Sequence, residues 1–335
     1  MSKLWIWIVI FFCVVCGAAS DCDAAGQHHV ATFSIVARDP ATGQLGIAVA
    51  SHYFSVGSVV PWGIADVGVV ATQADVNVGY GQKALDLLRQ GLTAQQAAEK
   101  LLSEDTFPGK DGRQFAIVDA KGNVVTYTGP HAPNWAGGQK GANWAAQGNI
   151  LAGPQVPEAM GKAFEATQGE LAEKLYAALQ AGDAAGGDKR GRQSASILIV
   201  CKQCARNTNN DRYVYINVDD NPNPFAELRR LLDLNLAYNY QDLSSRYLES
   251  RDLAKAQAAA ERAVRYSPNN NDGHMGLAFI NYAAGDKIAA LSEFGKAREG
   301  NADFKKQWSV EVEYSPVGKQ MQADKDFMER LFPRN

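Results

Sequence analysis

The stretch "TFSIVARDPATGQLGIAVASH", residues 32–52, decides the fold. Its two arms are rich in β-branched and small apolar residues, and the "RDPATG" between them gathers Pro, Asp and Gly into a turn-forming cluster. The pattern predicts a β-hairpin. With the turn centred on Ala41 and Thr42, antiparallel pairing sets Thr32 opposite Ser51, with His52 beside it. Two hydroxyls and an imidazole then meet at one end of a two-strand ladder. Nucleophilic catalysis needs a hydroxyl and a base within hydrogen-bond reach, and an N-terminal threonine carries a base in its own α-amine. Thr32 is therefore either an ordinary strand-end residue or a nucleophile that processing must uncover.

Upstream, "MSKLWIWIVIFFCVVCGAAS" places Lys3 before a short uncharged run that ends in small residues. This predicts a secretory signal peptide within residues 1–25, cut after Ala19, Ser20 or Ala25, because the run is short for a bilayer span. The expected location is secreted or periplasmic, with no membrane association after the cut. No signal-peptidase pattern precedes Thr32: His29 stands where a small residue is required. Uncovering Thr32 would take autoproteolysis or a second protease.

The chain has 335 residues, enough for a large domain and a smaller one. A formal charge of −3 without a basic stripe excludes a dedicated nucleic-acid binder. Cys201 and Cys204 in "CKQC" are the close cysteine pair, and in an oxidising compartment they are expected as a disulfide. A zinc half-site would need two more ligands, but the five histidines are scattered, so no metal or cofactor is expected.

Along the chain, "ADVGVVATQA" is a strand candidate, and Thr93 is an N-cap for "TAQQAAEKLLSED", which follows the helical "GQKALDLLRQG". "RQFAIVDAKGNVVTYTG" predicts a hairpin and "NWAAQGNIL" a strand. Helices are predicted over residues 156–167 and 171–180, then a hairpin from "SASILIVC" and "DRYVYINVD". Strands, a helical layer and strands again predict an α+β sandwich.

After Pro224 the pattern is helical throughout. A shift of 34 residues superposes Leu243 on Leu277, Ala256 on Ala290 and Ala263 on Ala297, and "SPNN" closes the first unit. Two tetratricopeptide-type repeats are predicted, followed by a terminal helix in "KQMQADKDFMERLF". Such units either offer a concave face to a protein partner or simply extend the structure.

Two glycine-rich motifs carry little. "VGYGQKALDLL" spaces Gly79 and Gly81 like a dinucleotide loop but lacks the βαβ context, and "GGDKRGRQS" lacks the Gly-Lys-Ser/Thr ending of a phosphate loop.

The successive blocks "TFSIVARD", "GQLGIAVAS", "FSVGSVVPWG", "GVVATQA", "RQFAIVD", "QGNIL", "GGDKRGRQSA" and "VDDNPNPFAELRRLL" resemble the DUF1028 family, which is placed in the N-terminal nucleophile (Ntn) hydrolase superfamily. The resemblance covers Thr32 to about Leu232 and implies a four-layer αββα sandwich; together with the repeats it gives an Ntn-hydrolase-like domain over residues 26–222 ahead of a small all-α tetratricopeptide-like domain over residues 223–335. It also implies hydrolysis of an amide bond in an unidentified small molecule or peptide. Thr32 would attack, its α-amine would take the proton, Ser51 or His52 would relay it, and backbone donors or Asn149 would serve the oxyanion. Asp188, Arg190 and Ser194, in the glycine-rich block, are expected to line the cleft. The alternative is a non-catalytic scaffold that recruits a protein partner through its helical repeats.

Overall fold

The computed structural model describes residues 32–207 and 209–333; the predicted export segment, with Cys13, Cys16 and Cys22, lies outside these residues. β1 (Thr32–Arg38) and β2 (Leu45–Ser51) form the predicted hairpin, Thr32 opposite Ser51 and Arg38 opposite Leu45. The turn holds because Asp39 accepts from the Ala41 N–H at 3.0 Å and the Thr42 hydroxyl at 2.7 Å.

Two short strands follow, β3 (Pro61–Ile64) and β4 (Gly68–Ala74), and then helices α1 (Gly79–Arg89) and α2 (Ala94–Glu104). Thr93 caps α2 in a reciprocal capping box with Gln96. β5 (Arg113–Asp119) and β6 (Val124–Thr128) make the second predicted hairpin. β7 (Gly137–Gly141) and β8 (Trp144–Asn149) precede helices α3 (Gln155–Ala166) and α4 (Leu171–Ala184). β9 (Ser194–Val200) and β10 (Arg212–Val218) close the α+β region.

All strand pairings are antiparallel and build two sheets, one in the order β10-β9-β2-β1-β8-β7, the other β3-β4-β5-β6. Strand alternation then sorts the side chains. Val36, Leu45, Ile47, Val49 and Leu198 of the larger sheet pack against Val69, Ala71 and Val118 of the smaller one. Ile35, Ala48 and Ile197, on the opposite face, pack against Met160, Leu175 and Leu179 of α3 and α4. Val70, Phe115 and Ile117 bury the apolar faces of α1 and α2 on the far side of the smaller sheet.

The all-α region opens with α5 (Pro224–Glu249), 26 residues and roughly 39 Å long. Phe225, Leu228, Leu232 and Leu236, in its first half, belong to the same apolar cluster as β1 and α4. The change of pattern near residue 223 is thus not a break in packing. α6 (Leu253–Tyr266), α7 (Asn271–Ala283) and α8 (Lys287–Arg298) follow. Here the 34-residue period has structural content. Asp252 and Asp286 cap α6 and α8, and just before them Arg251 and Gly285 both adopt φ above 60°. Ala256, Ala263, Ala290 and Ala297 are fully enclosed where helices cross.

The terminal segment departs from expectation. α9 (Phe304–Tyr314) was not anticipated, and the single predicted terminal helix is two, α10 (Pro316–Ala323) and α11 (Lys325–Leu331). Asp324 makes the break, its carboxylate accepting from the Phe327 N–H at 3.2 Å as an N-cap. No helix among the described residues is long and apolar enough to cross a membrane.

Glu170, just ahead of α4, fastens the two regions. One carboxylate oxygen accepts from Tyr213 at 2.9 Å, the other from Tyr266 at 2.8 Å, Arg262 at 3.1 Å and Tyr240 at 3.3 Å. Desolvation by burial, reinforced by this carboxylate, raises all three phenols above their ordinary value, Tyr240 to about 12.

Candidate functional site

At one end of the inter-sheet layer the apolar filling gives way to polar residues. The strands that begin or end there contribute Thr32, Ser51, Gln73, Gln114, Asn149 and Ser194, all at most 2% exposed. Buried polar groups on this scale are stable only if hydrogen-bonded, and the bonds run both within and between the sheets. Thr32 donates its hydroxyl to Ser51 Oγ at 3.3 Å. Ser34 donates to Gln73 Oε1 at 2.6 Å, and Gln73 Nε2 donates to the Thr32 carbonyl at 3.3 Å and to Gln114 Oε1 at 2.8 Å.

The backbone ladder fixes where Thr32 aims. Arg38 N–H donates to Asn143 O, and Asp39 N–H to Gln44 O. Alternation then turns the peptide groups of even-numbered β1 residues, Thr32 included, toward β8. Thr32 and Ser51 are consequently a non-hydrogen-bonded pair, the arrangement that brings facing side chains closest. On the other side Thr32 pairs with Asn149.

Gln114 sets the orientation of the amides. Its nitrogen is pinned by backbone acceptors, chiefly Gly148 O at 2.8 Å, so its oxygen must face Gln73 and Asn149. Asn149 answers with Nδ2 at 3.0 Å, leaving its buried Oδ1 without a partner. The side chain expected as an oxyanion donor thus gives its nitrogen to Gln114 and keeps an acceptor open. Gly148 is required beside it, since a Cβ there would lie 2.4 Å from Leu151 and 2.8 Å from the Thr32 carbonyl.

Backbone strain collects on the same rim. Ala74 and Ile150, which directly follow Gln73 and Asn149, adopt φ of 62° and 54°. A left-handed conformation costs a non-glycine residue on the order of 1–2 kcal/mol, more for a β-branched one. Ile150 is held there because both its peptide groups are engaged, the N–H by Pro133 O and the carbonyl by Lys189 N–H.

The glycine-rich block closes over this end as a loop. Asp188 accepts from the His52 N–H at 3.0 Å, the Arg190 N–H at 2.9 Å, Arg190 Nε at 3.2 Å and Arg190 Nη2 at 3.0 Å. The carboxylate therefore ties the loop to the end of β2, and Arg190 is its ion partner. The His52 ring lies against the loop, Nδ1 3.4 Å from Arg192 O. Ser194 pairs with Ser51 across the sheet, but its hydroxyl is engaged by Tyr53 O at 2.5 Å and Val56 N–H at 3.2 Å, which fastens the turn after β2.

Of the residues singled out in the sequence, Thr32, Ser51 and Asn149 converge, and Ser194 joins them as a structural neighbour. His52, Asp188 and Arg190 meet each other at the rim. Gln73 and Gln114 were missed. The available signal was a polar residue in place of the inward-facing apolar one at the end of "GVVATQA" and the start of "RQFAIVD". Away from this site, a cleft of about 510 Å³ lies between α1 and α2, but its polar groups pair with one another, Lys83 with Glu104 and Tyr80 with Asp105. Cys201 and Cys204 are paired in the loop between β9 and β10, Cα atoms 5.6 Å apart. Among the described residues no group of three or more His, Cys, Asp or Glu is placed to hold a metal.

A family model described as "Family of unknown function (DUF1028)" matches residues 32–228, so the match opens on Thr32 itself. The chain also resembles the crystallised protein SPO2555 of Silicibacter pomeroyi, assigned to the same family. The two share 33% identity at a TM-score of 0.55, over 60% of this chain and 84% of that one. No functionally curated protein matches the sequence.

Proposed function

From the premise that this chain belongs to the DUF1028 family, we propose that it is an exported amide hydrolase of the N-terminal nucleophile type, with an αββα sandwich as its catalytic domain and tetratricopeptide-like repeats behind it. Thr32 is the nucleophile. The observation that carries this reading is its position: on a strand flanked by β2 and β8, facing Ser51 and Asn149 inside a buried, hydrogen-bonded polar cluster. The family match beginning at Thr32 supports it.

In this mechanism Thr32 Oγ1 attacks the amide carbonyl while the α-amine, made terminal by a cut after Ala31, accepts the hydroxyl proton. Ser51, 3.3 Å from Oγ1, holds the hydroxyl in line. The protonated amine then gives its proton to the leaving nitrogen, and water resolves the acyl ester. The inter-sheet polar groups around Thr32 are hydroxyls and carboxamides, which hold no charge against the amine and favour its neutral, basic form. Arg190, a third exposed at the rim and held in place by buried Asp188, meets the incoming substrate.

The experiment is intact-mass analysis of the exported protein before and after treatment with a β-lactone. The expected result is a chain beginning at Thr32 that gains one acyl group. Thr32→Ala should gain none and, because it deletes a buried, hydrogen-bonded hydroxyl, should cost about 1–3 kcal/mol of stability. A second reading, a scaffold holding a protein partner on its repeats, is favoured by Ile288 and Tyr314, apolar side chains left 73% and 82% exposed on α8 and α9. A mature chain that begins anywhere upstream of Thr32 would overturn the first reading and leave the second.

A further inference from the structure

We propose that Asn149 is the positioning residue for the α-amine of processed Thr32, its side-chain Oδ1 accepting one of the N–H groups that cleavage creates. The inference rests on the N-terminal nucleophile reading and adds the group that orients the base. Four observations carry it. Asn149 is fully buried and lies directly opposite Thr32 on β8. The ladder directs the backbone nitrogen of Thr32 to that side, as derived above from Arg38 and Asp39. The Asn149 amide cannot simply be turned over, because Gly148 O fixes Gln114, whose oxygen in turn requires Nδ2. That leaves Oδ1 as a buried acceptor with no hydrogen-bond partner, an arrangement that costs stability until a donor reaches it.

The two halves of the site are chemically complementary. Cutting the peptide bond before Thr32 converts its single N–H into a neutral amine with two N–H groups and a lone pair. One N–H can keep the ladder bond to β8, while the other needs an acceptor. Asn149 Oδ1 supplies one without bringing a negative charge. An aspartate at this position would hold the amine as ammonium, useless as a base at neutral pH. A neutral carboxamide orients the nitrogen lone pair toward Oγ1 while leaving it basic. The titratable side chains at the ends of the surrounding elements, among the described residues, are His52 and Tyr53 after β2, Asp75 after β4, Arg113 at the start of β5, and Asp188, Lys189, Arg190 and Arg192 before β9. All of them are retained in the variants below, so their influence is constant across the comparison.

The test is the pH dependence of α-amine carbamylation by cyanate, read at the N-terminal peptide by mass spectrometry. It uses chains that begin at Thr32, cut where necessary from a leader so that a block in natural processing hides nothing. Asn149→Asp, nearly isosteric, should raise the midpoint by about one pH unit or more. Asn149→Ser, which shortens the acceptor, should lower it and broaden the pH profile of β-lactone acylation. Coincident midpoints in the original protein and both folded variants would overturn the assignment of Asn149 while leaving Thr32 as nucleophile. An original chain that is never cut before Thr32 would overturn both.

Discussion

In the helical region, residues that depend on each other lie close in sequence. Asp252 caps α6 through Lys255 N–H, and Asp286 repeats the device 34 residues later through Ala289 N–H. Around Thr32 the partners come from β2, β4, β5 and β8, up to 117 positions away in the register with Asn149. The helical region is a sum of local units, in which loss of one leaves its neighbour intelligible. The sandwich is a closed circuit in which each site residue exists only because both sheets are complete. α5 belongs to both regimes, since one half seals the sandwich and the other half packs with α6.

The sharpest way to break that contrast is to cut the chain inside α5. Ending it after Leu228, where the family match stops, removes Leu232 and Leu236 from the first core. We expect that protein to be insoluble or molten, and one ending after Ser250 to give a cooperative thermal transition; near-UV circular dichroism distinguishes them. Leu232→Ala in the full chain should cost about 2–5 kcal/mol by denaturant titration. A comparable loss from Leu253→Ala, 36% exposed on α6, would erase the distinction.

The Glu170 fastening offers the next largest effect. Glu170→Gln removes the charge that four donors share and should cost about 2–3 kcal/mol. The tyrosines add a pH signature. Their folded pKa is raised, above all by burial, so their contribution is complete below about pH 10 and is lost as pH rises through about 12 for Tyr240. Tyrosinate absorbance and helical content should therefore change together in alkali, with α5 and α6 loosening from α4. In Glu170→Gln the tyrosines should ionise at lower pH.

Smaller still is the cysteine pair. Its loop is short, so reduction or Cys204→Ser should cost about 2 kcal/mol, and thiol counting without reductant should find the pair oxidised. The smallest expected effect is Ile288→Ser on α8, within about 0.5 kcal/mol because the side chain is already in water.

The same contrast explains what could be read in advance. The β1–β2 register followed from one turn, since Pro, Asp and Gly fix the hairpin and alternation does the rest. The 34-residue period was legible because the crossing alanines recur at fixed spacing and "SPNN" closes the first unit, whereas the matching aspartate caps emerged only from the structure. β7, "GGQKG", has no apolar face to announce a strand, and β3, "PWGI", is too short for a period. Gln73 and Gln114 were invisible as site residues, since only the stacking of one sheet on the other brings their carboxamides to Thr32 and Asn149.

The strand order also imposes a timetable. β1 has neighbours on both sides, β2 and β8, and β2 in turn needs β9. During synthesis the hairpin that carries Thr32 and Ser51 emerges first, but Ser194, which completes the ladder beside Ser51, leaves the ribosome on the order of ten seconds later. For that interval the hairpin is an open-edged fragment, reliant on chaperones or on its own solubility. Any cut before Thr32 that depended on the finished sandwich could happen only after nearly two-thirds of the chain had been made, and the proposed maturation would then report that the sandwich has closed.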